Sequence, residues 1–140
     1  MSRYRSPLLV SAALIVKDGR VLIGQRRKGD RHSLKWEFPG GKVENGETPQ
    51  QGLARELREE LCIDASIGAE IARYQHDYPG GTSVLLLFYA VKAFVGEPAC
   101  LVFEQIEWAP LDSLPKYDFL DGDVDFVRRI ARGEFKAMLG

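Results

Sequence analysis

Three glutamates within one short segment are the residues of this chain most able to do chemistry. Glu56, Glu59 and Glu60 stand at i, i+3 and i+4, so in a helix their carboxylates fall within an arc of about 100° on one face. Like charges at this spacing destabilise a helix. A hard divalent cation such as Mg²⁺ relieves that repulsion, because it prefers oxygen ligands and is commonly shared with phosphates. We call these residues the glutamate triad; the alternative interpretation is an ordinary solvated helix face.

A glycine pair upstream of the triad adds a second feature of a ligand site. Gly40 and Gly41 follow Phe38 and Pro39, and Glu47 lies six residues after Gly41. Consecutive glycines let backbone carbonyls or amides approach a ligand closely. Taken singly, the pair also fits an ordinary turn, so only the combination with the triad is informative.

The triad is positioned by a predicted helix with clear boundary signals. Thr48 is an N-cap candidate, Pro49 suits the first helical position, and Gln51 completes a capping-box pattern. Three leucines at spacing four, from Leu53 to Leu61, form one apolar stripe beside the triad. The helix is therefore predicted from the Thr48 cap to about Leu61.

The remaining segments predict a mixed sheet and a second helix. Asp18-Gly19 and Pro79-Gly80-Gly81 supply turns between apolar runs, and residues 27–35 form a polar, basic loop. This order of elements predicts an α+β fold with α/β/α layers. The predicted strands are 8–17, 21–26, a short one within 42–46, 65–78 as one long or broken strand, 82–94 and 102–108. The second helix is predicted at 123–132, with Val124, Val127, Ile130 and Ala131 facing inward.

The bulk composition narrows the class of protein. A length of 140 residues predicts one domain, and 45% apolar with 28% charged residues is typical of a globular protein. The net charge of −1 argues against binding of duplex nucleic acid. Two cysteines make no disulfide framework and fit the cytoplasm. No apolar run approaches the roughly 20 residues of a membrane span.

Together the triad and the glycine pair resemble the Nudix box. Gly41, Glu47 and the run Arg-Glu-Leu-Arg-Glu-Glu-Leu-Cys-Ile at 55–63 occupy the fixed positions of that signature, except that Cys62 stands where the family has glycine. The segment 36–42 (WEFPGGK) looks like the MutT-type branch, which hydrolyses nucleoside triphosphates. The resemblance implies one Nudix domain over residues 1–140, with a mixed β-sheet flanked by helices.

The resemblance also implies roles for the box residues. Mg²⁺, or Mn²⁺, is expected on the glutamate triad and the backbone carbonyl of Gly40. Arg55 is expected to orient a glutamate, and Glu47 to support the loop–helix geometry, which completes the catalytic set. In the MutT branch water attacks phosphorus and the products are a nucleoside monophosphate and pyrophosphate. A further metal carboxylate is expected just before Trp108; Glu104 is favoured over Glu107, with an exposed strand carboxylate as the alternative.

Contacts to the nucleotide are predicted with alternatives left open. Phe38 could contact a base or pack in the core. Asp121, ahead of the last helix, lies near the place where the MutT branch reads the base, but it equally suits a helix N-cap. An ionised aspartate only accepts hydrogen bonds. The candidate substrate-binding residues are Arg27, His32, Phe38, Gly41, Lys42 and Asp121.

The resemblance leaves several functions open. The favoured one is clearance of oxidised nucleotides such as 8-oxo-dGTP; the alternatives are a CTP or dCTP diphosphatase and an ADP-ribose or dinucleotide pyrophosphatase. A catalytically silent nucleotide-binding module is the alternative of a different class, but no box glutamate is lost. The expected partners are a nucleotide and, in a homodimer, a second copy of the chain; a monomer is equally compatible.

Overall fold

The computed structural model describes residues 7–139 of the chain. Nine strands and three helices follow one another, with short 3₁₀ segments at Leu111–Lys116 and Asp121–Asp123. The strands are β1 Leu8–Lys17, β2 Arg20–Gln25, β3 Trp36–Glu37, β4 Gly40–Lys42, β5 Asp64–Ser66, β6 Glu70–Asp77, β7 Ser83–Val91, β8 Ala93–Val95 and β9 Gln105–Pro110. The helices are α1 Pro49–Leu61, α2 Val124–Ala131 and α3 Lys136–Leu139.

A seven-stranded mixed sheet forms the centre of the molecule. Its main path runs β3-β2-β1-β7-β6, while β9 pairs with β2 and β4 pairs with β1. Strand β1 is parallel to β7 and antiparallel to β2 and β4. The small β4 lies along the first half of β1, with Ser11 opposite Gly41 and Ala12 opposite Gly40. Strands β5 and β8 form a separate two-stranded sheet.

Alternating side chains of β1 supply two separate cores. Ala13 and Ile15 pack on the face covered by α1, whose Leu53, Leu57 and Leu61 are fully buried. Leu14 and Val16 pack on the opposite face, which α2 and α3 cover. Because a strand directs successive side chains to opposite faces, the sheet is buried on both sides. The predicted α+β fold with α/β/α layers is confirmed.

Helix α1 begins and ends where its local signals place it. The Thr48 hydroxyl accepts a hydrogen bond from the Gln51 N–H at 3.1 Å, and the Gln51 side chain accepts one from the Thr48 N–H at 2.8 Å. The predicted capping box is therefore present, and Pro49 is the first helical residue. Cys62 ends the helix in the left-handed conformation, with φ 59° and ψ 34°.

Several predicted boundaries were wrong, all of them outside α1. Strand β4 precedes the predicted 42–46 segment, because its pairing partner is the first half of β1. The predicted 82–94 strand is divided into β7 and β8, and the predicted 102–108 strand begins three residues later, whereas the 65–78 segment is broken into β5 and β6 as one of its two alternatives allowed. In α2 the buried residues are Phe126, Val127 and Ile130, while Val124 and Ala131 are only half-buried. Helix α3 was not predicted.

No helix within residues 7–139 is long and apolar enough to cross a membrane.

Candidate active site

Strand β4 and helix α1 bring the glycine pair against the glutamate triad. The Gly40 N–H donates to Glu60 Oε1 at 3.1 Å. A Cβ atom on Gly41 would lie 2.6 Å from the carboxyl carbon of Glu56. Glycine at position 41 therefore leaves the Glu56 carboxylate in its place beside β4, whereas a larger residue would push that carboxylate aside. Glu59, one turn from Glu56 on the same helix, is exposed.

Arg55 ties the helix to the loop that precedes it. Its guanidinium bonds both carboxylate oxygens of Glu47, at 3.1 and 2.8 Å, and the Lys42 carbonyl at 3.1 Å. It also donates to Glu56 at 3.1 Å and to Glu59 at 3.2 Å. The bond from Arg55 lowers the pKa of Glu47. One arginine thus orients two of the three carboxylates and fixes the loop, because its planar fork donates in several directions at once.

The triad carboxylates are crowded and partly removed from water. Burial, together with the charges of Glu56 and Glu37, raises the pKa of Glu60 to about 8, against the opposing effect of the Gly40 hydrogen bond. Burial also raises the pKa of Glu56, against its bond with Arg55. A bound divalent cation supplies the countercharge that such a site lacks.

The donor set fits a cation that is shared with substrate. Within residues 7–139, no three His, Cys, Asp or Glu side chains converge closely enough to hold a metal ion by themselves. Mg²⁺ usually takes one or two carboxylates and completes its octahedron with waters and phosphate oxygens. The all-oxygen triad and the crowding of Glu56 and Glu60 suit that mode of binding.

A cleft of about 530 Å³ opens beside this cluster, within the size range of small-molecule sites. Glu60 and the glycine pair line this cleft, and so do Gly122 and Asp123. The turn between β6 and β7 also contributes to the wall. The predicted residues that line the cleft are His32, Phe38, Gly40, Gly41, Lys42 and Glu60.

Asp121, a predicted substrate-binding residue, lies outside the cleft. It is exposed, whereas Asp123 lines the cleft and is only 5% exposed. Burial, with the charge of Glu37 as a second cause, raises the pKa of Asp123 to about 8. The N-cap interpretation of Asp121 was also wrong: Asp121 opens the 3₁₀ turn, and Asp123 occupies the cap position of α2 without a side-chain hydrogen bond.

Arg27, another predicted substrate-binding residue, also lies outside the cleft, whereas its neighbour Arg26 lines it. The Arg27 guanidinium donates to the Leu101 carbonyl at 3.0 Å. Arg26 is paired with Glu37 at 3.4 Å. Glu37 was not predicted as a site residue. Its only signal in the sequence was a carboxylate within the apolar run 36–39, since buried acids are rare unless they are paired.

Two further predicted site residues, Phe38 and Glu104, are only partly in the positions expected of them. Phe38 is 4% exposed and its ring packs against Phe88, Phe119 and Phe126, so core packing dominates, although the residue also lines the cleft. Glu104 lies just before β9, where its exposed carboxylate accepts the Lys28 N–H at 3.1 Å.

The alternative metal carboxylate, Glu107, belongs to a different part of the fold. It pairs with Ile23, whose side chain lies in the core on the α2 face. Burial raises the pKa of the Tyr117 hydroxyl, and the nearby Glu107 carboxylate raises it further, to about 12 in all. Of the two, Glu104 stays the candidate for metal support.

Comparison with known proteins identifies relatives over most of the chain. The NUDIX domain family profile matches residues 6–130. The chain is 35% identical over 118 residues to the CTP pyrophosphohydrolase of Escherichia coli K12, covering 84% of this chain and 87% of that protein. It is 34% identical over 123 residues to the 8-oxo-dGTP diphosphatase of Haemophilus influenzae, covering 86% and 89%.

Solved structures share the fold. The E. coli ORF135 protein superposes with a TM-score of 0.82 at 32% identity, covering 94% of this chain and 91% of that one. A MutT NUDIX hydrolase from Burkholderia pseudomallei superposes with a TM-score of 0.76 at 30% identity, covering 91% and 98%.

Proposed function

The chain belongs to the Nudix family of hydrolases, and we propose that it cleaves a nucleoside triphosphate to the monophosphate and pyrophosphate with the help of Mg²⁺ or Mn²⁺. One observation carries the proposal: a single cleft joins the glutamate cluster at Glu60 to a buried carboxyl at Asp123. A ligand with phosphates at one end and a hydrogen-bonding base at the other matches such a cleft.

The phosphate end is assigned to the residues of β4 and α1. The glutamate triad and the Gly40 carbonyl would hold the cation, with Glu104 as a further carboxylate. When bound, the cation neutralises phosphate charge and lowers the pKa of attacking water. Lys42 lines the cleft, where its ammonium group could bind a phosphate oxygen.

Arg55 and Glu47 act on the chemistry through the triad. Arg55 donates to Glu56 and Glu59, which keeps both carboxylates turned in one direction. Glu47 holds Arg55 through two hydrogen bonds. A carboxylate of the triad would accept the proton that the attacking water releases.

The base end is assigned to Asp123. A carboxyl whose pKa is about 8 keeps its proton at neutral pH, so it both donates and accepts a hydrogen bond. The protonated carboxyl is therefore not limited in the way that an ionised aspartate is, which only accepts hydrogen bonds. Such a group suits the edge of an oxidised guanine, and it equally suits the amino group and ring nitrogen of cytosine.

The relatives support two substrates. We favour 8-oxo-dGTP, because the H. influenzae relative is an 8-oxo-dGTP diphosphatase. CTP or dCTP is the second candidate, supported by the E. coli CTP pyrophosphohydrolase. We place the enzyme in the cytoplasm, where nucleotides are abundant and the exposed free thiols of Cys62 and Cys100 stay reduced. Its assembly is proposed as a monomer or homodimer.

A turnover screen tests the function. Wild type with Mg²⁺ should release pyrophosphate from one dominant substrate among 8-oxo-dGTP, dCTP, CTP and ADP-ribose. Glu59→Gln should lower the rate about 100-fold, the scale of losing one charged contact to a transition state. The matched control is Glu70→Gln, which removes a carboxylate on β6 that pairs with Arg73; it should keep full activity. No release from any nucleotide would favour a binding module instead.

A further inference from the structure

Arg26 makes hydrogen bonds to several separate parts of the cleft wall and of the loop beside it. Its NH1 group donates to both oxygens of the Glu37 carboxylate at 3.4 Å, and its Nε donates to the Arg31 carbonyl at 2.6 Å. Its backbone N–H donates to the Lys35 carbonyl at 2.9 Å, and its carbonyl accepts the Leu34 N–H at 3.2 Å. Arg26 therefore fixes the Glu37 carboxylate and both ends of the 27–35 loop at once.

The loop that Arg26 holds is bent against the preference of its residues. His32 and Leu34 have φ of 58° and 62°, in the left-handed region that residues other than glycine rarely adopt. Backbone strain of this kind persists only where surrounding contacts enforce it. The hydrogen bonds of Arg26 span this strained stretch, and the loop presents Arg31 and His32 to the cleft.

Glu37 lines the same cleft as the glutamate cluster and Asp123. Arg26, at the end of β2, is paired with Glu37 at 3.4 Å, and Glu60 on α1 and Asp123 in the 3₁₀ turn line the same cleft as Glu37. Glu37 raises the pKa of both Glu60 and Asp123, while Arg26 opposes the effect of burial on Glu37 itself. Because Glu37 and Asp123 line the same cleft and Arg26 holds the Glu37 carboxylate, the orientation of Glu37 affects the polar surroundings of a base bound at Asp123.

We propose that Arg26 is a positioning residue for base selection: its guanidinium holds the Glu37 carboxylate beside Asp123 and packs the 27–35 loop against the cleft wall. Arg26 acts through Glu37 and the loop and need not touch the nucleotide. The inference rests on the proposed nucleotide function, and it adds a determinant of which base is accepted.

Binding of nucleoside 5′-monophosphates separates this inference from the hydrolytic function, because these ligands lack the bond to be cleaved. Calorimetric titration without metal, over a set of monophosphates that includes 8-oxo-dGMP, dGMP, dCMP and CMP, gives the base preference of wild type. Arg26→Met should weaken the preferred monophosphate about tenfold and leave the least preferred one unchanged. Arg73→Met, which removes the equivalent pair with Glu70 on β6, should change neither affinity.

Two further variants keep the test decisive if Arg26→Met folds poorly. Arg26→Lys retains a cation but not the planar fork that reaches both Glu37 and the Arg31 carbonyl, so it should recover part of the base preference. In a Glu37→Gln background, Arg26→Met should have a smaller effect than alone, because the two residues share one pathway. Equal loss for every base, fully additive effects, or a wild type without base preference would each overturn the inference, whether or not the protein hydrolyses nucleotides.

Discussion

Cys62 closes helix α1 with a left-handed backbone at the position where the Nudix box has glycine. Its φ of 59° and ψ of 34° lie in the region that costs a residue with a Cβ atom about 1 kcal/mol. The helix therefore ends at the position where the box places its glycine, and Cys62 takes the backbone strain. The Cys62 N–H still bonds the Arg58 carbonyl at 3.0 Å, so the triad lies on an intact helix.

We expect Cys62→Gly to raise the melting temperature by about 3–5 °C, because removing about 1 kcal/mol of strain shifts a domain of this size by that amount. Cys62→Ala is the matched control: it removes the thiol but keeps the Cβ, and should leave the melting temperature nearly unchanged. Calorimetry under reducing conditions makes the measurement. An unchanged or lower value for the glycine variant would count against strain at the cap.

At the scale of elements, the site depends on how closely β4 approaches its neighbours. Gly40 faces β1, where a Cβ atom would overlap the Ser11 carbonyl oxygen. Gly41 faces α1, where a Cβ atom would meet the end of the Glu56 side chain. A backbone carbonyl in a paired strand cannot move aside, whereas a carboxylate on a flexible side chain can. Adjacent glycines therefore protect different properties, the fold at Gly40 and the catalytic geometry at Gly41.

Alanine at each glycine should separate these properties. Gly41→Ala should keep stability within about 1 kcal/mol, since the Glu56 carboxylate can rotate away, yet lower turnover tenfold or more through misplacement of that group. Gly40→Ala should destabilise by about 3 kcal/mol or more through overlap with the β1 backbone. Urea titration and initial-rate assays on both variants make the comparison. Normal activity in Gly41→Ala would show that the position of Glu56 is not critical.

At the scale of the whole molecule, three carboxyl groups share one cleft and their pKa values are all raised. Burial is the largest cause for Glu37, Glu60 and Asp123 alike. For an acid with a raised pKa, the native state binds more protons than the unfolded state between the two pKa values. Stability is then highest at low pH and is lost as pH rises through the folded pKa. For Asp123 that window extends from about 4 in the unfolded chain to about 8 in the folded one.

The metal-free protein should therefore lose stability between pH 5 and pH 8, by at most about 1.4 kcal/mol per pH unit for each such group. Asp123→Asn should make this dependence shallower, because the amide does not ionise. Exposed Asp112→Asn is the control and should leave the slope unchanged. The midpoints of urea unfolding of the three proteins, measured at several pH values in the presence of a chelator, give these slopes. An identical slope for Asp123→Asn and wild type would contradict a neutral buried carboxyl at this position.

The sequence by itself determined helix α1 and the order of its functional groups. The capping box at Thr48 and Gln51 acts over three residues, and the spacing of the triad follows from the turn of the helix, so both could be predicted locally. The mixed α+β fold followed from the alternation of strands and helices. The Cys62 exception was visible as a single letter, although only the structure revealed its backbone conformation.

Tertiary structure alone decided which neighbour faces the cleft. Asp121 and Asp123 differ by two positions, and their orientation depends on long-range hydrogen bonds: the Trp36 N–H donates to the Asp118 carbonyl at 2.9 Å, and the Leu120 N–H to the Trp36 carbonyl at 3.0 Å. These bonds set the register of the 3₁₀ turn against β3, far away along the chain. Arg26 replaced Arg27 for the same reason, since pairing of β2 with β3 fixes where the strand ends. Local propensity carries no information about such pairings, because their partners lie many residues apart.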